Sequence, residues 1–277
     1  VNHRITKLKE GLLKEIQQAP IAGSLALFIN GIRSGTIHPN SIALLTNPSH
    51  PYPYFQRSQD RIDIQLPEQS FEQRSNYFNS LALHLRQQGL LPYWRDEQVN
   101  LWQGTQVFAH IERTATRPLG LLTQAIHMNA WTPEGKLFLS LRAPSKQTDP
   151  NKWDTIAGGL LNSADTLEIG LERETYEEAG IQAKELTHRT PIRSILHVQR
   201  PLIEGFQNEE VLTSDCILAP HVQPQNMDGE VSEIRTFSIE ETLELMENNS
   251  ITAEAMVVLL DSIERNVFTQ LIQSYPR

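Results

Sequence analysis

Apolar residues recur at two different spacings along this 277-residue chain, and the switches between those spacings divide it into elements. In the first 17 residues Ile5, Leu8, Leu12 and Ile16 fall three or four apart, which predicts an amphipathic helix. The run LALFINGIRSGTI then sets Asn30-Gly31 between two apolar stretches, and both residues tolerate the left-handed backbone of a two-residue hairpin turn. Residues 47–70, rich in Pro, Gln and Ser, read as loop. A helix is expected next: Ser70 caps it, Gln73 closes a capping box, Phe71, Phe78, Leu81 and Leu85 form its apolar stripe, and Gly89 stops it. Short strands at 99–102 and 107–111 meet at Gly104, so residues 1–115 predict a small α+β domain.

Residues 116–277 read differently. LLTQAIHMNAW and KLFLSLRA are strands about the turn Pro133-Glu134-Gly135. After the loop APSKQTDPNK come IAGGLL, a helix at 165–179 and strands near 192–199 and 211–219. The strand IRTFSI precedes helices at 239–247 and 252–273. Helices interleaved with strands imply a mixed sheet covered on both faces.

Composition narrows the classes. With 39% hydrophobic and 21% charged residues, the chain can build an ordinary globular core. No apolar run approaches the ~20 residues of a membrane-spanning helix, and VNHRITKLKEGLLKEIQQ lacks the hydrophobic centre of a signal peptide. The single cysteine, Cys216, sits in the apolar run VLTSDCILAP; it excludes an internal disulfide and suits a core position in a reducing cytoplasm. A net charge of −9 argues against nucleic-acid partners, and an acidic protein that handles phosphate needs a local cation.

The chemistry concentrates in GGLLNSADTLEIGLERETYEEAGI, residues 158–181. Asp165 is placed to cap the helix, Glu168 to complete a capping box, and Gly180 to end it in a left-handed conformation. Glu174, Glu177 and Glu178 fall within roughly a 100° arc of one helix face. Like charges at that spacing destabilise a helix, more so near its negative C-terminal end, unless a positive group lies over them. The segment resembles the Nudix box, which runs Gly, five residues, Glu, seven residues, then Arg-Glu-aliphatic-x-Glu-Glu-x-Gly-aliphatic. Gly159, Arg173, Glu174, Glu177, Glu178, Gly180 and Ile181 are in register; Asp165 replaces a Glu and Thr175 an aliphatic residue.

The resemblance implies an α+β chain: a Nudix α/β/α sandwich with a mixed sheet at 116–277, preceded by the small α+β domain of 1–115. It implies a hydrolase of diphosphate bonds that uses Mg²⁺ or Mn²⁺, hard cations suited to oxygen ligands. Glu174, Glu177, Glu178 and the Gly159 carbonyl are implied as metal ligands, and Arg173 as the group that orients the glutamates. Segments IHMN (126–129), LR (141–142), KWDTIAGG (152–159) and NMDGEV (226–231), together with GLLPYWRDE (89–97) and IER (111–113), are similar to one Nudix subgroup. That subgroup carries an extra N-terminal domain, is labelled thiamine pyrophosphokinase-related, and acts on thiamine diphosphate and its oxidised forms.

Further candidates follow from position. Glu230 is a candidate for a late-loop catalytic carboxylate, with Asp228 and Glu233 as rivals. Arg142 and Lys146 are candidates to hold phosphates, and His127 and Asn129, alternate residues of one strand, to touch the organic group. Trp153 and Phe206 suit core packing better than ring stacking. The expected partner is a small-molecule diphosphate, with no nucleic acid or membrane; the first domain shapes the pocket or mediates a homodimer. Alternatives are a hydrolase of nucleoside diphosphate derivatives, a non-catalytic ligand-binding module, and a diphosphate isomerase, for which Cys216 has no fitting context. A pyrophosphokinase would need a phosphate loop that the sequence lacks.

Overall fold

The computed structural model describes residues 2–49, 51–146 and 148–275. Helix α1 (Asn2–Ile16) is followed by β1 (Leu25–Ile29), β2 (Ile32–Ile37), α2 (Pro39–Leu45), β3 (Phe55–Arg57), β4 (Arg61–Ile64) and α3 (Phe71–Gln87). The hairpin β5 (Gln98–Gln103) and β6 (Gln106–Glu112) leads through the short helix α4 (Thr116–Leu119) into the second half. There the order is β7 (Leu122–Trp131), β8 (Leu137–Arg142), β9 (Trp153–Asp154), β10 (Ala157–Leu160) and α5 (Leu167–Ala179). The hairpin β11 (Arg193–Leu202) and β12 (Gly205–Ile217), strand β13 (Val231–Phe237) and helices α6 (Ile239–Glu247), α7 (Ala253–Glu264) and α8 (Val267–Gln273) complete the chain.

The first lobe, residues 25–121, carries a four-stranded sheet in the order β2-β1-β4-β3. Asn30 and Gly31 take φ of 48° and 78°, the double left-handed turn expected of that pair. Strands β3 and β4 lie inside the stretch expected to be loop; Ile62 and Ile64 are fully buried there, and two apolar residues give too little periodicity to announce a strand. The capping box of Ser70 and Gln73 forms as expected, and α3 buries Phe78, Leu81, Ala82 and Leu85 in this lobe's core.

The second lobe is a mixed sheet in the order β11-β12-β7-β8-β13, with β10 added to β7 and β9 to β8. Only the β12–β7 pair is parallel along that path. Strand β7 separates two cores, because successive side chains point to opposite faces. Ile126, Met128 and Ala130 join Leu171 and Ala179 of α5, while Trp131 joins the core under α1, α6, α7 and α8. The result is an α/β/α sandwich. Cys216 is fully buried in the α5-side core.

Two boundaries depart from expectation. Helix α1, grouped with residues 1–115 by sequence position, buries Ile5, Leu12 and Ile16 among Leu243, Val258 and Leu260 of the second lobe. Its amphipathic stripe was legible, but the stripe does not say which core it joins. The helix expected over 252–273 breaks at Asn266, whose φ of 54° starts α8. No helix among the described residues is long and apolar enough to cross a membrane.

Candidate functional site

Two adjacent glycines and one helix build the site. Strand β10 lays Gly158 opposite His127 and Gly159 opposite Ile126. A Cβ at Gly159 would collide with the Glu174 carboxyl, and one at Gly158 with the His127 ring. The glycines therefore let the Glu174 carboxyl of α5 and the His127 ring of the paired strand β7 lie against the β10 backbone. The Gly158 N–H donates to Glu178 Oε2 at 2.9 Å, so Glu174 and Glu178 both rest against this glycine pair.

The cap of α5 differs from the expected one. Thr166 is the N-cap and accepts from the Ile169 N–H at 3.2 Å; no capping box forms. Asp165 instead accepts from the Asn162 N–H and takes the Arg173 guanidinium at 2.6 Å, while Glu168 pairs with Arg189. Arg173 also reaches Glu174 at 2.8 Å and Glu177 at 3.2 Å. One guanidinium thus ties three carboxylates, and its charge lies over the acidic face that would otherwise repel itself. Gly180, at φ 66°, ends the helix as expected.

The glutamates differ in environment. Burial pushes the Glu174 carboxyl up despite the opposing charge of Arg173. Burial pushes Glu178 up to about 8; the Gly158 N–H pulls the other way, and the nearby charges of Asp154 and Glu174 add to the rise. Glu177 is half exposed. Among the described residues no three His, Cys, Asp or Glu side chains converge as a ready ion cage. The donor set of Glu174, Glu177, Glu178 and the Gly159 carbonyl is all hard oxygen, with Arg173 paired to Glu174 and Glu177. It suits a divalent cation that keeps several of its waters and takes only one or two carboxylates directly.

Beside the glycines opens a cavity of about 720 Å³, walled by both lobes. Leu91, Tyr93, Arg95, Arg113 and Arg117 come from the first lobe; His127, Asp154, Gly159, Gln207 and Glu230 come from the second. The loop before β13 brings Glu230 to the wall through the Ala143 N–H, which donates to its carbonyl at 2.9 Å. Burial would raise the Glu230 carboxyl, but Lys146 paired with it, helped by Arg95 and Arg142, holds it below the usual range. Asp228 shares the wall and accepts from the Glu230 N–H at 2.8 Å. Glu233 points elsewhere, paired with Arg235 at 3.0 Å.

The substrate candidates separate. Arg142 reaches the wall, but its guanidinium is held by Asp154 at 2.9 Å and by the Thr148 carbonyl. Lys146 is spent on Glu230. His127 lines the cavity and bonds Thr155 Oγ1 at 3.2 Å. The Thr155 hydroxyl donates to the Ala157 carbonyl, so it can only accept from His127, which therefore carries its proton on Nδ1. Asn129 is the correction: it lies one strand repeat deeper, beneath α7. Its amide donates to Asp215 at 3.0 Å and to the Val258 carbonyl at 3.4 Å, away from the cavity. Trp153 packs edge-on against Phe237, and Phe206 is buried. Asp154, Gln207, Glu209 and Glu254 were not singled out from sequence. They share the wall, with Glu209 bonded to Arg117 and Glu254 to Arg200, and isolated polar residues, three in strands and Glu254 at the start of α7, carry no local signal of such a role.

Residues 123–256 match the family model described as NUDIX domain. The chain is 24% identical over 231 residues to an uncharacterised protein of Saccharomyces cerevisiae, YJR142W, an alignment covering 76% of this chain and 68% of that one. It is 29% identical over 202 residues to Nudix hydrolase 24, chloroplastic, of Arabidopsis thaliana, covering 70% of this chain and only 55% of the plant protein. The structure of a MutT protein from Methanosarcina mazei aligns at 21% identity and a TM-score of 0.41, over 53% of this chain and 95% of that one.

Proposed function

We propose that this chain, whose residues 123–256 match the NUDIX domain model, is a Nudix-type hydrolase that cleaves the diphosphate of thiamine diphosphate, above all of its oxidised analogues, to the monophosphate and phosphate. Mg²⁺ or Mn²⁺ is the proposed metal. The observation that carries the hydrolase reading is the pair of partly buried carboxyls, Glu174 and Glu178, set against the Gly158–Gly159 backbone at the edge of a cavity. The thiamine reading rests on the sequence resemblance of both halves, and a cavity built from both lobes supports it.

Roles follow from environment. Glu174, Glu177, Glu178 and the Gly159 carbonyl would hold the metal, which supplies charge neutralisation at phosphate oxygens and a more acidic water. Arg173, anchored by Asp165, fixes the direction of Glu174 and Glu177. Glu230, kept ionised beside Lys146, would accept a proton from the attacking water in this reading. The wall carrying Gln207, Glu209 and Glu254 offers carboxylate and amide groups to a nitrogen-rich organic end. That the first lobe lines the cavity favours a role for it in shaping the pocket.

The test is a competition of diphosphates in one reaction with Mg²⁺ or Mn²⁺: thiamine diphosphate, its oxidised analogues, ADP-ribose, nucleoside triphosphates and dinucleotides. The highest kcat/KM is expected for an oxidised thiamine diphosphate. A nucleotide that wins refutes the thiamine reading, and no hydrolysis of any member refutes the enzymatic one.

A further inference from the structure

Six cationic side chains stand on the cavity wall, and five are committed. Arg113 is held by Glu97 at 2.6 Å, Arg117 by Glu209 at 3.2 Å, Arg142 by Asp154 at 2.9 Å, Arg200 by Glu254 at 2.9 Å, and Lys146 by Glu230. Arg95 is different. Its guanidinium has no carboxylate within ion-pair distance among the described residues, and its side chain is exposed on the wall. It lines the cavity together with Asp228, Gly229 and Glu230 of the second lobe, near enough for its charge to act on Glu230, whose ion pair is made by Lys146.

We propose that Arg95, contributed by the lobe outside the Nudix domain, binds the phosphate end of the substrate. The inference rests on the diphosphate reading above and names a residue that the Nudix box does not contain. A diphosphate entering this cavity meets carboxylates on several sides. A cation already paired must give up its partner to bind the anion, and the gain is then only a difference between two ion pairs. An unpaired guanidinium costs no such exchange, and its planar fork matches two phosphate oxygens at once.

The surroundings pin the backbone of Arg95 and leave its head free. Its N–H donates to Glu112 Oε1 at 3.2 Å, and Glu112, fully buried, also accepts from the Thr114 hydroxyl at 3.0 Å. Asp96 next to it takes φ of 60°, turning the chain sharply after the arginine. The Tyr93 ring lies 5.4 Å from the guanidinium, a stacking contact that steadies the side chain without neutralising it. This loop position also explains the value of a second lobe to a domain with its own metal chemistry, since that lobe carries the uncommitted positive charge.

The experiment is calorimetric titration of the wild-type protein, R95A and R95K with methylenediphosphonate, a non-hydrolysable diphosphate, in Mg²⁺ buffer. Loss of a charge-assisted bidentate contact should weaken binding about tenfold to a hundredfold in R95A. Arg95→Lys should recover part of it, keeping the charge and losing the fork. Unchanged Tm in both variants is expected, because the side chain is exposed, and attributes the loss to the contact. With thiamine diphosphate, R95A should raise KM with little change in kcat. Equal affinity of R95A and wild type overturns the proposal even if both hydrolyse, as does a wild type that fails to bind the probe. Affinity lost in R95A supports it even where no substrate is turned over, a result that would count against the hydrolase reading alone.

Discussion

Replacing Glu178 with Gln should stabilise the metal-free protein at alkaline pH and leave it unchanged in acid. Burial keeps the Glu178 carboxyl protonated in the folded state up to about 8, whereas in the unfolded chain the proton leaves near 4.5. Between those values the native state binds more protons than the unfolded state, so stability falls as pH rises through 4.5 to 8, and the deficit is complete above 8. At ~1.4 kcal/mol for each tenfold difference in proton affinity, the whole deficit approaches about 5 kcal/mol. Even half of it corresponds to about 4 °C in Tm for a chain of this size. Glutamine has nearly the same shape, and its amide oxygen can still accept from the Gly158 N–H, so packing is preserved. The assay is thermal unfolding of wild type and E178Q in chelator at pH 5, 6.5 and 8.5, repeated with millimolar Mg²⁺. The gap in Tm should be smallest at pH 5 and widest at pH 8.5. Mg²⁺ should narrow or reverse it, since only the carboxylate gains from the cation. A gap of constant size across pH would refute the reasoning, because a packing effect has no reason to titrate.

Gly159→Ala places a methyl where the Glu174 carboxyl lies; the apparent Mg²⁺ affinity should fall about 10- to 100-fold, read from activity against Mg²⁺ concentration. Asp165→Asn removes the charge that holds Arg173 at 2.6 Å; kcat at saturating Mg²⁺ should drop about tenfold or more with the fold intact by circular dichroism. Asn129→Ala should leave KM unchanged, because the residue lies off the cavity, and should cost about 1–3 kcal/mol in urea unfolding by removing one of the three side-chain donors, with Ser262 and Trp131, to the buried Asp215.

What the sequence revealed and what it hid divide along a physical line. Local chemistry was legible. The Asn30-Gly31 turn, the Ser70–Gln73 capping box and the acidic face of α5 each depend on residues within one or two turns of one another. Partners distant in sequence were not. Asp165 looked like a helix cap because its neighbours are helical, yet its carboxylate serves Arg173 and Thr166 does the capping. Asn129 shares a strand face with His127, and spacing alone could not show that α7 closes over one and leaves the other beside the cavity. Arg95 and Arg113 lay in stretches that resembled the subgroup, but without the fold nothing told a committed arginine from an uncommitted one.

The placement of α1 has a mechanical consequence. Helix α1 lies in the body of the second lobe, where the Gln18 N–H donates to the Gln199 carbonyl at 2.7 Å; from there the backbone leaves to build residues 25–121 and returns directly into β7. The first lobe therefore hangs by two straps rather than one. At the seam the Ser163 N–H donates to the Gln98 carbonyl at 2.8 Å, and Gly205 lies so close to the Arg117 backbone that a side chain there would not fit. A lobe on a single linker can drift and reorient freely. One held at both ends can only swing about the line through its attachments, and the two walls keep a high effective concentration for each other. A single protease cut in the strap after α1 would leave the first lobe on one linker, so cleaved protein should stay in one piece but bind a ligand of the cavity more weakly.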